Sequence, residues 1–420
     1  MSEPPQNQTP TITIRISSDS DHSPLDVGFG RGEKSWPPVR NTSPTLTPSA
    51  LETEMVGLRD KLSTWAKRYE DLLESKATDP LKCDAAGLVR EMWKDLAEWG
   101  NWLYRQLFHR ESSDLVEWSV KLKALKGCRL VIDSAIGGIP WGLLYDEKVP
   151  DELPDNYVEE MIEHFWLTSY RLEMLPDYPR DRFLWVPQLD DRNGTGLTVT
   201  VNKYIDDNEG SQQIGFFTDV AGRSVSGAGT KPVRPFRINI NKVELIESIV
   251  CKEEPQHLVY FFCHHQKADG TFKQQGWRYY GDSKMILEGK NATPETAISL
   301  KEMDRNGKIE SFKFPPVVFM NACESSQIEI GDPTSFMIYF INSLKAWAFI
   351  GTEAQIPTRF ADDFGKRFVR EFLKRQPIGE VLFTARRDYA VQYFNPFGLY
   401  YTLYGDGNVS LANEVKEATE

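Results

Sequence analysis

The sequence predicts an α/β protein, a mostly parallel sheet flanked by helices and preceded by a helical hairpin. Three observations predict it. From residue 125 onward, short apolar runs alternate with helix-like stretches, the pattern of strand–helix–strand units. Two of those runs, Leu258-Val-Tyr-Phe-Phe262 and Val317-Val-Phe-Met320, are apolar throughout, as strands buried on both faces are. Upstream, Leu51, Met55, Leu58, Leu62, Trp65, Tyr69 and Leu72 recur at spacings of three and four, a seam along one helical face.

In order along the chain, residues 1–48 are rich in Ser, Thr, Pro, Asp and Gly and read as a flexible leader. Within it Thr11-Ile-Thr-Ile-Arg-Ile16 alternates like a half-buried strand and reads equally as an edge strand with a linker after it or as part of a flexible tail. Residues 49–124 form the hairpin region. Its second helix follows Asp84 and carries Val89, Met92, Leu96, Trp99, Leu103 and Leu107 on one side. Residues 125–412 form the α/β domain and 413–420 a tail. Cys128 to Asp133 reads as its first strand, followed by Ile139-Pro-Trp-Gly-Leu-Leu-Tyr-Asp146. Further strands are expected at 183–186, 197–201, 214–217, 258–262, 317–320 and 347–350, and helices at 241–251, 335–345 and 360–375. The Gly-rich stretch Gly222 to Gly229 lacks the Lys-Ser/Thr ending of a phosphate loop and reads as a mobile loop.

A chain of 420 residues with 40% hydrophobic and 12% aromatic residues buries a sizeable core, which excludes global disorder. The net charge of −12 argues against direct nucleic-acid binding, which lysine and arginine contacts to phosphate dominate. Five irregularly spaced cysteines suit a reducing cytoplasm better than a disulfide framework. There is no signal segment at the N-terminus and no apolar run of membrane-spanning length. A cytoplasmic protein with no membrane partner is the expectation.

The run ending at Cys263-His264-His265 and the run Val317-Val-Phe-Met-Asn-Ala-Cys-Glu-Ser325 each stop at a chemically active side chain. In open α/β sheets functional residues gather beyond the carboxyl ends of the strands. An imidazole and a thiol on one rim are what thiol-based acyl chemistry needs, because the thiolate is the reactive form and a nearby base generates it. By itself each residue has a plainer reading: most unpaired cysteines are small buried hydrophobes, and most lone histidines are satisfied core residues. A zinc site from Cys263, His264, His265 and Cys323 lacks any Cys-x-x-Cys or His-x-x-x-His spacing, and no metal or other cofactor is expected.

These segments resemble, in order, the motifs of the CHAT domain, a caspase-like cysteine peptidase module of the clan that includes caspases, separase and gingipains. Ile139 to Asp146 is similar to its Pro-Trp-Glu-Leu-Leu segment, with Gly142 where Glu is usual. Tyr260 to His264 resembles the histidine strand, and Met320-Asn-Ala-Cys-Glu-Ser325 the nucleophile strand. Ala348 to Thr352 with Phe360 to Phe372, then Glu380 to Arg387, then Leu403-Tyr-Gly-Asp406 resemble the elements that follow.

The resemblance implies a caspase-like fold, Cys323 as nucleophile, His264 as general acid/base, and backbone N–H groups of Cys323 and His265 as the oxyanion hole. His265 stands where the family has Gly, a residue favoured where backbone approaches a ligand closely. Glu324, Ser325, Asp332 and Trp277 are candidates for the substrate pocket, with Glu329, Asp362, Tyr279 and Tyr280 beside them. The family further implies regulated, zymogen-like proteolysis of a specific protein partner, such as a gasdermin-like pore former or another antiviral defence effector. An activating protein partner or self-association would supply the trigger. A catalytically silent caspase-like scaffold, using its cleft and helical seam for binding, is the alternative that His265 favours.

Overall fold

In chain order the strands are β1 (Thr11–Ser17), β2 (Asp26–Arg31), β3 (Lys34–Ser35), β4 (Val39–Arg40), β5 (Arg129–Ser134), β6 (Arg171–Pro176), β7 (Gln188–Leu189), β8 (Thr195–Val201), β9 (Val233–Asn239), β10 (Leu258–Phe262), β11 (His264–Gln266), β12 (Lys284–Ile286), β13 (Ala297–Ser299), β14 (Val317–Asn321), β15 (Ala348–Thr352), β16 (Tyr401–Gly405) and β17 (Ser410–Leu411). The computed structural model describes residues 11–18, 25–31, 34–35, 39–40, 47–75, 86–108, 113–134, 139–176, 188–209, 211–222, 233–250, 254–266, 284–289, 291, 293–305, 311–322 and 336–412.

Twelve strands form the main sheet in the order β3-β2-β1-β5-β6-β16-β15-β14-β10-β8-β9, with β4 also paired to β2. Pairing is parallel from β15 through β14, β10 and β8 to β9, and parallel again from β16 through β6 and β5 to β1. The two blocks meet at the antiparallel pair β15–β16, so they run in opposite directions. Every residue of β8, β10, β14, β15 and β16 is buried, as expected for strands covered on both faces. This is the mostly parallel, helix-flanked α/β sheet that the alternating runs predict.

Helices cover the sheet. In Thr358–Leu373 the residues Phe360, Ala361, Phe364, Gly365, Phe368, Val369 and Phe372 form the buried stripe. Phe364 stacks on Tyr401 of β16 at 4.1 Å, and Phe368 meets Phe319 of β14 edge-on at 4.8 Å. The helix Ile378–Tyr393 lies beside it and ends in a left-handed Phe394. Arg386, fully buried on that helix, donates to the carbonyl of Tyr401 at 2.7 Å, and burial lowers its pKa to about 9. A second anchor joins the three neighbouring strands β5, β6 and β16. Arg129 of β5 pairs with Glu173 of β6 at 2.6 Å and with Asp406, just past β16, at 2.8 Å.

The N-terminal segment differs from its expected form in two ways. β1 is not at the sheet edge; it lies between β2 and β5, because its hairpin with β2 supplies a further antiparallel partner. Ile12, Ile14 and Ile16 are at most 1% exposed, so the alternation faces the core. The helical region holds three helices, Pro48–Ser75, Ala86–Leu107 and Ser113–Lys123. The first of them reaches the α/β body: Arg59 lies 3.7 Å from buried Glu353, and Tyr69 meets Phe397 edge-on at 5.1 Å. Among the described residues, no helix is long and apolar enough to cross a membrane.

The run 214–217 is helical, within Gln213–Gly222, and not a strand. Asp206 accepts hydrogen bonds from the backbone N–H of Gln213 at 2.6 Å and of Ile214 at 3.3 Å, capping the helix start. A four-residue apolar run cannot be assigned by periodicity alone. Trp141–Leu143 is a buried 3-10 turn. The expected strand at 183–186 and all of the Gly-rich loop after Gly222 lie outside the described residues.

The start of β10 is locked by a buried histidine. His257 Nδ1 accepts from the Gly196 N–H at 2.7 Å, which leaves Nε2 to donate to the Asp190 carbonyl at 2.8 Å. The Nδ1 contact requires the neutral ring, since a protonated Nδ1 could not accept, and burial lowers the His257 pKa. A lowered pKa means the unfolded chain takes up the proton first. This contribution to stability is therefore full above the unfolded value near ~6.5 and falls as the pH drops toward the folded value, by at most ~1.4 kcal/mol per pH unit. Thermal unfolding followed between pH 7.5 and 5.5 should show a falling midpoint, and His257→Gln should flatten that window.

Candidate active site

The ends of β10, β14 and β15 build one pocket. Val201, Phe262 and Asn321 stand in one row across β8, β10 and β14, so the chain leaves all three strands at the same level. Thr352 ends β15 beside them. The pocket beyond this rim is lined by Ile205, Phe262, Cys263, His264, Asn321, Ala322, Thr352, Ile356, Thr358 and Ala361. His264 is therefore on the same rim as Ala322, the residue to which Cys323 is joined in the sequence.

Each wall is held by named bonds. Ala322 is buried, and its carbonyl accepts from Thr352 Oγ at 2.6 Å, which ties the end of β14 to β15. The Asn321 side chain is held by three hydrogen bonds. Its Nδ2 donates to Tyr260 Oη at 2.9 Å and to the Ala361 carbonyl at 2.7 Å, while its Oδ1 accepts from Tyr401 Oη at 2.6 Å. Asn321 thus fixes β14 against β10, β16 and a helix while leaving Ala322 on the pocket side. Gly365 makes room for this cluster, since a Cβ there would sit 2.7 Å from Asn321 Nδ2 and closer still to Tyr260 Oη. Gly365→Ala should cost about 1–3 kcal/mol of stability through overpacking, read as a lower denaturation midpoint.

The histidine side is held from β8. Asn202, fully buried, donates through Nδ2 to the carbonyls of Ile286 at 3.0 Å and Gly289 at 2.8 Å. Its backbone N–H donates to the Phe262 carbonyl at 2.8 Å. Ile286 is the residue that pairs with His264 in the small antiparallel sheet β11-β12-β13. One asparagine therefore fastens both the end of β10 and the partner strand of His264.

The His264 side chain is 29% exposed, with Nε2 buried and without a hydrogen bond. The carboxylate of Glu209 is 3.7 Å from that nitrogen. His265 lies in β11 opposite Met285, in extended backbone, where a side chain carries no penalty of the kind that calls for glycine. Cys263 is buried at the bend between β10 and β11 and lines the same pocket as His264. The strand alternation that would send the two side chains to opposite faces is broken there.

Cys323, Glu324, Ser325, Asp332, Trp277, Glu329, Tyr279 and Tyr280 lie outside the described residues. Of the pocket candidates, Asp362 is described. It accepts from Gln213 Nε2 at 2.9 Å and pairs with Lys366 at 2.7 Å, so its charge is already met within the fold. Asn202, Glu209, Thr352 and Thr358 were not singled out by the sequence. Asn202 carried one usable signal, an asparagine between an apolar run and a helix start, the favoured N-cap position. The others act through tertiary contacts that no local pattern reports.

No known protein-family profile matches the chain. A protein of Vitiosangium sp. described as a probable protease is 26% identical over 200 residues, which is 46% of this chain and 23% of that protein. The chain thus spans about a quarter of the length of that curated relative. Two crystal structures of the Saccharomyces cerevisiae separase–securin complex align with TM-scores of 0.49 at 11% and 10% identity. They cover 94% and 96% of this chain and 30% of the separase chain.

Proposed function

We propose that this chain is a regulated caspase-like cysteine endopeptidase acting on a specific protein partner. The observation that carries the reading is the shared pocket: His264 and Ala322, the covalent neighbour of Cys323, line one cavity at the carboxyl rim of the sheet. In this reading His264 takes the Cys323 proton, and the thiolate attacks the scissile carbonyl carbon. The N–H groups of Cys323 and His265 hold the oxyanion. The C–N bond then breaks as His264 protonates the leaving amine, and water hydrolyses the resulting thioester.

Support also comes from the relative described as a probable protease. Glu324, Ser325, Asp332 and Trp277 are proposed to shape the substrate pocket. A gasdermin-like pore former or another defence effector in the cytoplasm is the proposed target, and a protein partner or self-association the proposed trigger.

The test is cleavage of a peptide library varied at the residue before the scissile bond. A preference lost on mutating Cys323 or His264 supports the peptidase. Retention of all cleavage in those variants overturns it. A chain that cleaves nothing alone is either the latent enzyme or the silent scaffold, and cleavage that appears on adding an activating partner separates the two.

A further inference from the structure

The pocket histidine is aimed at a carboxylate that the dyad does not include. His264 Nε2 is buried with no hydrogen-bond partner, and Glu209 Oε1 lies 3.7 Å away. That is an ion-pair distance, about 0.8 Å longer than a typical N–H···O hydrogen bond. Catalytic hydrogen bonds are often long in a resting enzyme and tighten when substrate binds. Glu209 does not hang free. It follows the helix Lys203–Asn208, with its backbone N–H on the Ile205 carbonyl at 3.0 Å. Its second oxygen, Oε2, accepts from Thr358 Oγ at 3.0 Å. The Thr358 backbone N–H in turn donates to Glu70 Oε1 at 2.9 Å, on the long N-terminal helix.

We propose that Glu209 is the positioning residue of His264: it accepts a hydrogen bond from Nε2–H, fixes the ring's tautomer and orientation, and leaves Nδ1 with the lone pair that receives the thiol proton. The proposal rests on the peptidase reading for its catalytic meaning, although its geometry does not. An imidazole with no such partner divides its proton between the two nitrogens, and only one tautomer presents a base toward the nucleophile. A carboxylate behind the ring selects that tautomer and stabilises the imidazolium formed during attack. Thr358 holds the carboxylate through its hydroxyl and is itself held by Glu70 through its backbone N–H, so the N-terminal helix is linked to the histidine through Thr358 and Glu209.

The test has two arms on the full chain. In the first, histidine is labelled with nitrogen-15 and the ring of His264 is assigned by its loss in His264→Ala. At a pH where the ring is neutral, wild type should show the proton on Nε2. Glu209→Leu, which cannot accept, should show a mixture of tautomers, and Glu209→Gln, which can, should retain Nε2–H. In the second arm kcat should fall about 10–100-fold in Glu209→Leu with KM within about twofold, and Glu209→Asp should recover part of it. An unchanged tautomer in Glu209→Leu overturns the proposal, as does an unchanged kcat. Where the chain alone cleaves nothing, the ring spectrum decides. Should Glu209→Leu fail to fold, Thr358→Val frees the carboxylate and is expected to give the same mixture in weaker form. Cleavage that survives His264→Ala would remove the peptidase reading, while the spectrum would still judge the Glu209 contact.

Discussion

Cys323→Ala is expected to lower kcat for peptide cleavage by at least about 10⁴-fold, with the thermal midpoint unchanged within experimental error. The size follows from what is removed. In the proposed mechanism no covalent acyl intermediate forms without the thiolate, and what remains is water attack assisted by the proposed oxyanion donors. His264→Ala should fall into the same range, because the thiol then lacks its base. The double variant should be no worse than either single one, since the two groups act as a unit and their losses do not add. Steady-state kinetics on the preferred peptide, with a denaturation curve for each variant, measures all three. A Cys323→Ala protein that keeps more than about a tenth of wild-type kcat would rule out the thiol as nucleophile, because no group that forms the covalent intermediate costs so little. Losses that add in the double variant would show that the two residues act in separate steps.

Some of this site was legible before any coordinates, and the reasons are physical. A strand buried on both faces has no polar alternation, so β10 and β14 stand out as unbroken apolar runs. The rim residues follow because each run must end where backbone emerges from the core. β1 was legible as a strand because Ile12, Ile14 and Ile16 all turn inward, but its place between β2 and β5 was not, since partner choice is a non-local property. The antiparallel join of β15 to β16 was equally hidden. Nothing in Tyr401 to Gly405 records that the chain returns along the opposite direction after the helix Ile378–Tyr393. The helix at Gln213–Gly222 was misread because its cap, Asp206, lies seven residues before the first N–H it satisfies. Glu209 carries no sequence signal at all: one exposed-looking acid in Asp206-Asp-Asn-Glu209 resembles any other until the fold brings His264 and Thr358 to it.

Asn202→Ala should be the most damaging change outside the proposed dyad, costing about 2–5 kcal/mol of stability and at least about tenfold in kcat. The side chain uses three of its four hydrogen-bonding positions, both donors and one acceptor, on other residues. Nδ2 serves the carbonyls of Ile286 and Gly289, and Oδ1 accepts from the Tyr204 N–H at 2.9 Å, capping the helix that ends just before Glu209. Alanine would remove the partner of two carbonyls and one N–H, all supplied from a side chain with no exposure of its own. Those carbonyls belong to the segment paired with His264, so the loss acts on the histidine's position as well as on overall stability. Asn202→Asp separates the two roles. Aspartate keeps the acceptor for Tyr204, so it would restore stability if capping were the main contribution. It has no donor for Ile286 and Gly289, and sets a carboxylate against two carbonyl oxygens instead. If the tether matters most, Asp is at least as harmful as Ala in both denaturation and cleavage. A variant with aspartate that melts like wild type would reduce Asn202 to a helix cap and show that its bonds to Ile286 and Gly289 do not hold the β11–β12 pair.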